Sequence, residues 1–296
     1  MATLSYHEQK DIENIKKLRE LQKELPSFCS DFFRGIETST STRTRIAYAY
    51  DLKIFFQFLK TANPGTFDNP SHTLTPSDLE KLTVTDLEEY IDYLKCHPSD
   101  TNEDVINTER GLMRKVSSLR SFYSYFFRNE RIEKNPAALV RMPKLHEKEI
   151  IRLEIDEVAK LLDEVEEGDK LTEKQKLYHE RTKVRDLAMM SLLLGTGIRV
   201  SECVGLNIND IDLDTCGARV YRKGGKESVI YFSDEVRDVL ENYLDEREMI
   251  DAVPGNEDAL FLSMQRKRIN VRSVENLVKK YAKLVTPLKK ITPHKL

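Results

Sequence analysis

Apolar residues recur at helical spacing along the first half of the chain. This spacing predicts a helix over Arg43–Lys60 and a longer one over Glu103–Arg128. Between them, Thr85-Asp-Leu-Glu88 has the form of a capping box that opens a short helix. Residues 1–20 are mildly helical without a clear pattern, and residues 63–76 have the composition of a loop. The pattern therefore predicts an all-helical N-terminal domain over residues 1–140.

The second half combines helical periodicity with two β-like runs. Helices are predicted over Lys183–Leu194, from near Arg199, after Ser233 and over Val271–Val285. The runs at 218–222 and 228–232 flank Lys223-Gly-Gly-Lys226, which is typical of a hairpin. Residues 168–180 have the composition of a charged excursion. The polar segment 141–150 is predicted to be a linker, followed by a mixed α/β domain over 151–296. The fold class is thus mainly α with a small antiparallel sheet.

Composition narrows the function classes. Net charge is −3, hydrophobic residues make up 40%, and no apolar run approaches the ~20 residues of a membrane helix. The polar N-terminus is not a signal peptide, so we expect a cytoplasmic protein. The four cysteines form no CxxC pair and no phosphate-binding glycine motif is present. We therefore expect no metal, no cofactor and no nucleotide.

Positive charge is concentrated in two segments of this weakly acidic chain. From Arg110 to Lys148 ten basic residues stand against three acidic ones, and from Ser263 to Leu296 ten stand against one. Such segregation is what a nucleic-acid phosphate backbone requires. Solvated helix faces are the alternative, and charge alone leaves both open.

The segment Leu194-Gly-Thr-Gly-Ile-Arg199-Val-Ser-Glu202 carries the most specific chemistry. A glycine break before a new helix places the Arg199 guanidinium at a helix start, where a planar fork can hold two phosphate oxygens. Glu202, one turn along, could orient that guanidinium. A simple salt bridge between the two residues is the alternative.

Several boxes resemble those of the tyrosine site-specific recombinases of the phage-integrase and Xer type. Thr196–Glu202 with Gly205-Leu206 resembles the first box, and Arg222-Lys-Gly-Gly-Lys226-Glu227 resembles the GKGxKxR hairpin. Thr292-Pro-His294-Lys-Leu296 resembles the start of the third box. The N-terminal half agrees around Ser41–Leu59 and Lys115–Lys144, which resemble the core-binding, SAM-like domain. The resemblance covers about residues 25–296.

The resemblance implies metal-free DNA strand cleavage and rejoining through a 3′-phosphotyrosyl intermediate. Arg199 would stabilise the phosphoryl charge and Lys223 would be the general acid. His294 would stabilise the phosphoryl group or assist proton transfer from the nucleophile. The role implied is chromosome-dimer resolution or mobile-element integration. The implied partners are double-stranded DNA and a homo- or hetero-tetramer of recombinase subunits, with no membrane.

The printed sequence departs from the family at its end. It stops at Leu296, where the resemblance places the second catalytic arginine next, with the tyrosine nucleophile further on. None of the twelve tyrosines, Tyr281 included, stands in the family position. We expect a truncated sequence, whose polypeptide is catalytically incomplete. A non-catalytic, recombinase-derived DNA-binding module is the alternative.

A C-shaped clamp on DNA would be lined by basic residues of both halves. The predicted phosphate contacts are Arg43, Arg45, Arg114, Lys115, Arg120, Lys144, Lys226, Arg266, Lys267 and Arg268.

Overall fold

The computed structural model describes residues 5–69, 72–98, 103–146, 151–222 and 226–293. The chain folds as two compact units, Met1–Lys148 and Glu149–Leu296. The division falls inside the segment predicted as a linker. Residues 141–146 of that segment belong to the first unit, where His146 Nδ1 lies 2.7 Å from Glu109 Oε1 and the His146 backbone N–H donates to the same carboxylate. Residues 147–150 lie outside the described residues.

The first unit is a helical domain with one short hairpin. Its elements are α1 (Tyr6–Lys23), α2 (Cys29–Gly35), α3 (Thr42–Ala62), α4 (Pro64–Phe67), a 3-10 turn (Pro76–Lys81), α5 (Val84–Lys95), β1 (Cys96–Pro98), β2 (Asp104–Ile106), α6 (Glu109–Arg128) and a 3-10 turn (Pro136–Ala138). The core is aromatic: Phe32 and Phe122 are fully buried, and their rings meet edge to face at 5.2 Å between centroids. Edge-to-face packing of this kind is the preferred geometry of buried rings.

Two sequence-based predictions in this unit were wrong at the start of a helix. The helix predicted from Glu103 begins at Glu109, because Thr108 Oγ1 accepts the Gly111 N–H there. Residues 104–106 instead pair antiparallel with β1. The capping box lies at Thr83 and not at Thr85: the Thr83 backbone N–H donates to Asp86 Oδ2 at 2.6 Å.

Two segments without a predicted element are helical. Residues 63–76 were predicted as a loop, but α4 forms within them and Phe67 is buried. Residues 1–20 had no clear role, but α1 packs along α3 and buries Leu18 and Leu21. In both segments a few apolar side chains pack against α3. The local sequence pattern does not reveal these long-range contacts.

The second unit surrounds a small sheet with helices. Its elements are α7 (Ile155–Glu167), α8 (Glu173–His179), α9 (Lys183–Thr196), α10 (Val200–Gly205), a 3-10 turn (Ile208–Asp210), β3 (Ile211–Asp212), β4 (Gly217–Arg222), β5 (Lys226–Tyr231), α11 (Asp234–Glu248) and α12 (Val271–Val285). The antiparallel sheet has the order β3-β4-β5. The α9 helix is apolar on nearly every side because it packs against both α7 and α11.

The predicted hairpin is present, with strands one or two residues longer at their N-terminal ends and its turn at 223–225 outside the described residues. The charged excursion predicted over 168–180 contains α8, which a Thr172 and Gln175 capping box opens and the buried His179 closes. The mainly helical fold with a small antiparallel sheet confirms the predicted fold class.

Candidate active site

A sharp turn between α9 and α10 places Arg199. The α9 helix ends because Gly197 adopts a left-handed conformation with φ of 64° and donates its N–H to the Leu193 carbonyl at 3.0 Å. Glycine adopts this conformation without the steric penalty of a Cβ. Ile198 then turns into the core, and Arg199 stands in extended conformation immediately before α10. The predicted glycine break followed by a new helix is therefore what the structure contains.

Glu202 accepts hydrogen bonds from both the side chain and the backbone of Arg199. Arg199 Nη1 donates to Glu202 Oε1 at 2.8 Å, and the Arg199 backbone N–H donates to Glu202 Oε2 at 2.9 Å. The glutamate side chain is 6% exposed, whereas the arginine side chain is 59% exposed. A buried carboxylate thus fixes both the main chain and one nitrogen of the guanidinium. The other N–H groups remain available for an anion, because a guanidinium carries five.

A cavity of about 310 Å³ opens beside this guanidinium. Its wall is formed by Thr196, Gly197, Arg199 and Glu202 of the α9–α10 turn, together with Leu193 and Ile198, and by Arg222 and Pro293 from two distant parts of the sequence. Arg222 is the last residue of β4, and Pro293 follows the loop after α12. The cavity therefore collects two cationic side chains and one paired carboxylate.

Two predicted catalytic residues, Lys223 and His294, lie outside the described residues. Arg222 was not singled out from the sequence as a site residue, although it precedes the predicted catalytic lysine. The signal that could have found it is strand alternation, which places every second side chain of β4 on one face.

The basic residues predicted to contact DNA divide into two groups. Five of them are exposed: Arg43, Lys144, Lys226, Arg266 and Lys267. Arg266 and Lys267 project from a tight turn in which the Ser263 N–H donates to the Lys267 carbonyl at 2.7 Å and Arg266 has a φ of 56°. That turn presents two cations side by side.

In the first unit, four predicted DNA contacts have intramolecular partners that the sequence did not reveal. Arg45 is buried and pairs with Glu37 at 2.7 Å. Arg114 pairs with the buried Asp51, and its neighbour Lys115 is itself buried. The remaining partners are the Asn107 side chain for Lys115 and the carbonyls of Ala137, Ala138 and Val140 for Arg120.

Arg268 also has intramolecular partners, unlike its exposed neighbours Arg266 and Lys267. Its Nη1 donates to the carbonyls of Val204 and Leu206 at 3.0 and 2.6 Å, and its Nη2 donates to Asn207 Oδ1. These bonds tie the segment before α12 to the end of α10. Arg268 therefore stabilises the unit, and a basic triplet in the sequence becomes two exposed cations and one structural one.

Tyr281 lies deep in the second unit. Its side chain is fully buried on α12, and burial raises the pKa of its phenol well above the ordinary value of 10.0. A buried, protonated phenol is a poor nucleophile. This environment agrees with its exclusion on sequence grounds.

The described residues include no group of three or more His, Cys, Asp and Glu side chains that could hold a metal ion. Among the helices of the described residues, none has both the length and the apolar character that crossing a membrane requires.

Comparison with known proteins agrees with this architecture. The model of the phage integrase family matches residues 151–296. The tyrosine recombinase XerC of Caldanaerobacter subterraneus is 35% identical over 283 residues, which cover 92% of this chain and 73% of the relative. The tyrosine recombinase XerS of Streptococcus uberis is 31% identical over 310 residues, which cover 95% of this chain and 85% of the relative.

Solved structures share the fold at lower identity. A lambda integrase dimer bound to a COC′ core site has a TM-score of 0.60 and 15% identity, with 90% of this chain and 84% of that chain covered. XerH bound to its difH substrate has a TM-score of 0.58 and 16% identity, with 86% and 66% covered. The fold is that of a site-specific recombinase. The chain belongs to the phage integrase family of tyrosine recombinases, as its boxes predicted, and site-specific recombination is its class of enzymatic activity.

Proposed function

We propose that the cavity beside Arg199 binds the scissile phosphodiester of a DNA strand. The observation that carries this proposal is that Arg199, Arg222 and Pro293 line one cavity. Arg222 and Pro293 are the chain neighbours of Lys223 and His294. We propose that Lys223 and His294 act at the same cavity. Three separate boxes of the sequence would then act on one anion.

The chemistry that we propose is a transesterification. The tyrosine hydroxyl gives up its proton to solvent, with His294 assisting the transfer, and its oxygen bonds to phosphorus. The bond to the 5′-oxygen breaks, and Lys223 gives the leaving oxygen its proton. Arg199 and His294 stabilise the negative charge that gathers on the phosphoryl oxygens. The 3′-phosphotyrosyl bond retains the energy of the broken bond, so a 5′-hydroxyl of a partner strand can reverse the step.

Double-stranded DNA is the partner that the exposed cations favour. Arg43, Lys144, Lys226, Arg266 and Lys267 are exposed and of one sign, so we assign them to backbone phosphates. Arg114, whose side chain is 46% exposed, can contact DNA while it pairs with Asp51. Arg45, Lys115, Arg120 and Arg268 act mainly within their own unit. This assignment narrows the set of contacts drawn from the sequence.

The biological role that we propose is chromosome-dimer resolution, which the likeness to XerC and XerS supports. Mobile-element integration or excision is the other role compatible with the fold, since lambda integrase shares it. A lambda integrase tetramer has been solved on a Holliday junction, and we propose a homo- or hetero-tetramer on DNA here too. We propose that the protein acts in the cytoplasm, where a chromosomal substrate would lie.

The proposal is tested with the full-length product of the gene that encodes this sequence. A duplex selected from genomic fragments for tight binding is nicked next to the cleavage position, so that the cleaved end diffuses away. We expect a covalent protein–DNA adduct that survives detergent. Arg199→Ala should lower adduct formation at least 100-fold, far more than it lowers duplex affinity, because the guanidinium interaction strengthens as charge develops in the transition state.

Arg237→Ala is the matched control, since this arginine lies on α11 and pairs with Asp234 and Asp238 on the surface. An unchanged yield of adduct in Arg199→Ala would remove Arg199 from the mechanism. Tight binding without any adduct from the full-length product would favour the alternative, a non-catalytic regulatory module that binds DNA. Binding that does not weaken with salt would contradict both.

A further inference from the structure

Strand alternation turns Arg222 towards the same side of the sheet as α10. Ala218 and Val220 are buried at 0% and 1% exposure, and α10 packs against β4. Arg222 follows them in the period of two, so its side chain leaves the strand on the α10 side, where the core ends. It is exposed there and lines the cavity with Arg199, the residue that precedes α10.

A second cation stands directly opposite Arg222. The register of the hairpin pairs Arg222 with Lys226, so both side chains share one face of the sheet. Like charges in directly opposed positions destabilise a strand pair. Within the part of the chain that the structure describes, no carboxylate forms an ion pair with either residue. Bringing an anion to this face would relieve the repulsion.

The nearest acidic residue of the hairpin faces the other way. Glu227 is paired with Tyr221 in the register, and both lie on the face opposite to Arg222. The pKa of the Tyr221 phenol is raised first by desolvation and then by the Glu227 carboxylate, which also hydrogen-bonds to it. Glu227 is therefore engaged away from the cavity, and Glu202 is already engaged by Arg199.

The position of Arg222 is also a departure from the family pattern. In GKGxKxR the residue before the lysine is a glycine, and the final position is an arginine. Here Arg222 stands at the first position and Ser228 at the last. Ser228 lies opposite Val220, on the same face as Arg222 and two residue pairs further from the turn. The guanidinium missing from one strand is thus present on the other, where it lines the cavity with Arg199.

We propose that Arg222 is a second phosphate-binding arginine, whose guanidinium holds the same DNA phosphodiester as Arg199. The inference rests on the proposed function of the cavity and adds a ligand to it. Two planar forks on one phosphate can engage both non-bridging oxygens at once. Lys226, opposite Arg222, strengthens the local positive field.

The test is a titration of the protein with a thymidine dinucleotide, which carries a single phosphodiester. The side-chain Nε–Hε resonances of Arg199, Arg222 and Arg219 are followed by NMR. We expect the signals of Arg199 and Arg222 to shift with one common dissociation constant. Arg219 lies on the same strand but on the opposite face, near Asp210, and should not shift.

Substitution then measures the contribution. Arg222→Ala should weaken dinucleotide binding about 10- to 100-fold, as judged from the Arg199 signal, which is the usual size of a charge-assisted contact. Arg222→Lys should restore part of the loss, because the charge remains and the planar fork does not. Arg219→Ala should leave the affinity unchanged. An unchanged thermal midpoint of all three variants shows that folding is intact.

The outcomes separate the two proposals. If the Arg199 signal shifts and the Arg222 signal does not, or if Arg222→Ala binds as tightly as the wild type, Arg222 is not a phosphate ligand and the cavity keeps its function. If neither arginine responds while the duplex still binds, the proposed function of the cavity fails as well.

Discussion

The ammonium of Lys289 lies 2.6 Å from Glu157 Oε2 and also donates to the Arg152 carbonyl at 3.3 Å. The same Glu157 oxygen accepts the backbone N–H of Glu154, so one carboxylate both caps α7 and anchors the loop after α12. That loop carries Pro293 into the wall of the cavity. An ion pair and a hydrogen bond of Lys289 therefore join the start of the second unit to the approach to the third box.

We predict that Lys289→Ala loosens this loop without unfolding the protein. Hydrogen exchange should be faster at Ile291, whose N–H donates to the Lys289 carbonyl, because the loop loses its tie to α7. Lys283→Ala, an exposed lysine on α12, is the control of equal charge. Equal exchange rates at Ile291 in the two variants would show that the ion pair does not hold the loop.

A pH dependence is expected from Asp51. Burial raises the pKa of its carboxyl from 3.8 to about 6, against the opposing influence of Arg114 and Lys115. A raised pKa in the folded state means that stability is greatest below about pH 4 and is lost as pH rises through about 6. The loss from this group is about 3 kcal/mol. Urea unfolding of the wild type and of Asp51→Asn between pH 4 and 7 measures it, because the variant cannot titrate there.

The stability of the wild type relative to Asp51→Asn should fall with rising pH only over that window. A constant difference from pH 4 to pH 7 would mean that Asp51 keeps an ordinary pKa in the folded state.

A conservative substitution tests whether Glu202 orients Arg199. Glu202→Gln can still accept from the Arg199 backbone, but it loses the charge that holds the guanidinium. We expect about a tenfold lower affinity for the thymidine dinucleotide and an unchanged thermal midpoint. If affinity stays at the wild-type value, the ion pair does not orient Arg199.

Alanine substitutions of Arg268 and Lys267 distinguish a residue that stabilises the fold from a residue that binds DNA. Arg268→Ala removes the guanidinium donor from the Val204 carbonyl and from the Leu206 carbonyl, which keeps only the Leu260 N–H, and should cost about 2 kcal/mol of stability. Lys267→Ala should leave the calorimetric midpoint unchanged and reduce the slope of log affinity against log salt by about 1. The reverse result, a stable Arg268→Ala with a smaller slope, would return Arg268 to the DNA contacts.

Tyr281→Phe is predicted to keep or raise stability. Among the residues that the structure describes, the Tyr281 hydroxyl has no hydrogen-bond partner although it is buried, so its removal should gain up to about 1 kcal/mol. The Lys280 ammonium, 3.9 Å from the ring centroid, can still lie over a phenyl ring. Tyr243→Phe is the contrast, because its hydroxyl donates to the Leu260 carbonyl at 2.9 Å, and it should destabilise by about 1 kcal/mol. A similar loss in both variants would point to an undetected partner for Tyr281.

Local patterns in the sequence determined the elements whose ends are set by their own residues. The helix Val271–Val285 was predicted with both bounds correct, because Asn270 caps it and its apolar residues keep one face. The α9–α10 turn was predicted for a similar reason, since Gly197 alone supplies the left-handed conformation. Thr83 and Thr85 are equivalent as N-cap residues in their local chemistry. The helix is capped by Thr83, and it buries Leu87 and Tyr90.

Tertiary structure alone decided what the charged residues do. The sequence identifies Arg120 and Arg268 as cations of basic segments, but it does not reveal that buried carbonyls from distant residues need their N–H groups. It also gives Arg222 no role, because the cavity that Arg222 shares with Arg199 forms only when β4 packs against α10. Periodicity is a property of neighbouring residues and can be read along the chain. The partner of a charge is set by which segments meet in space, and that depends on the packing of the whole unit.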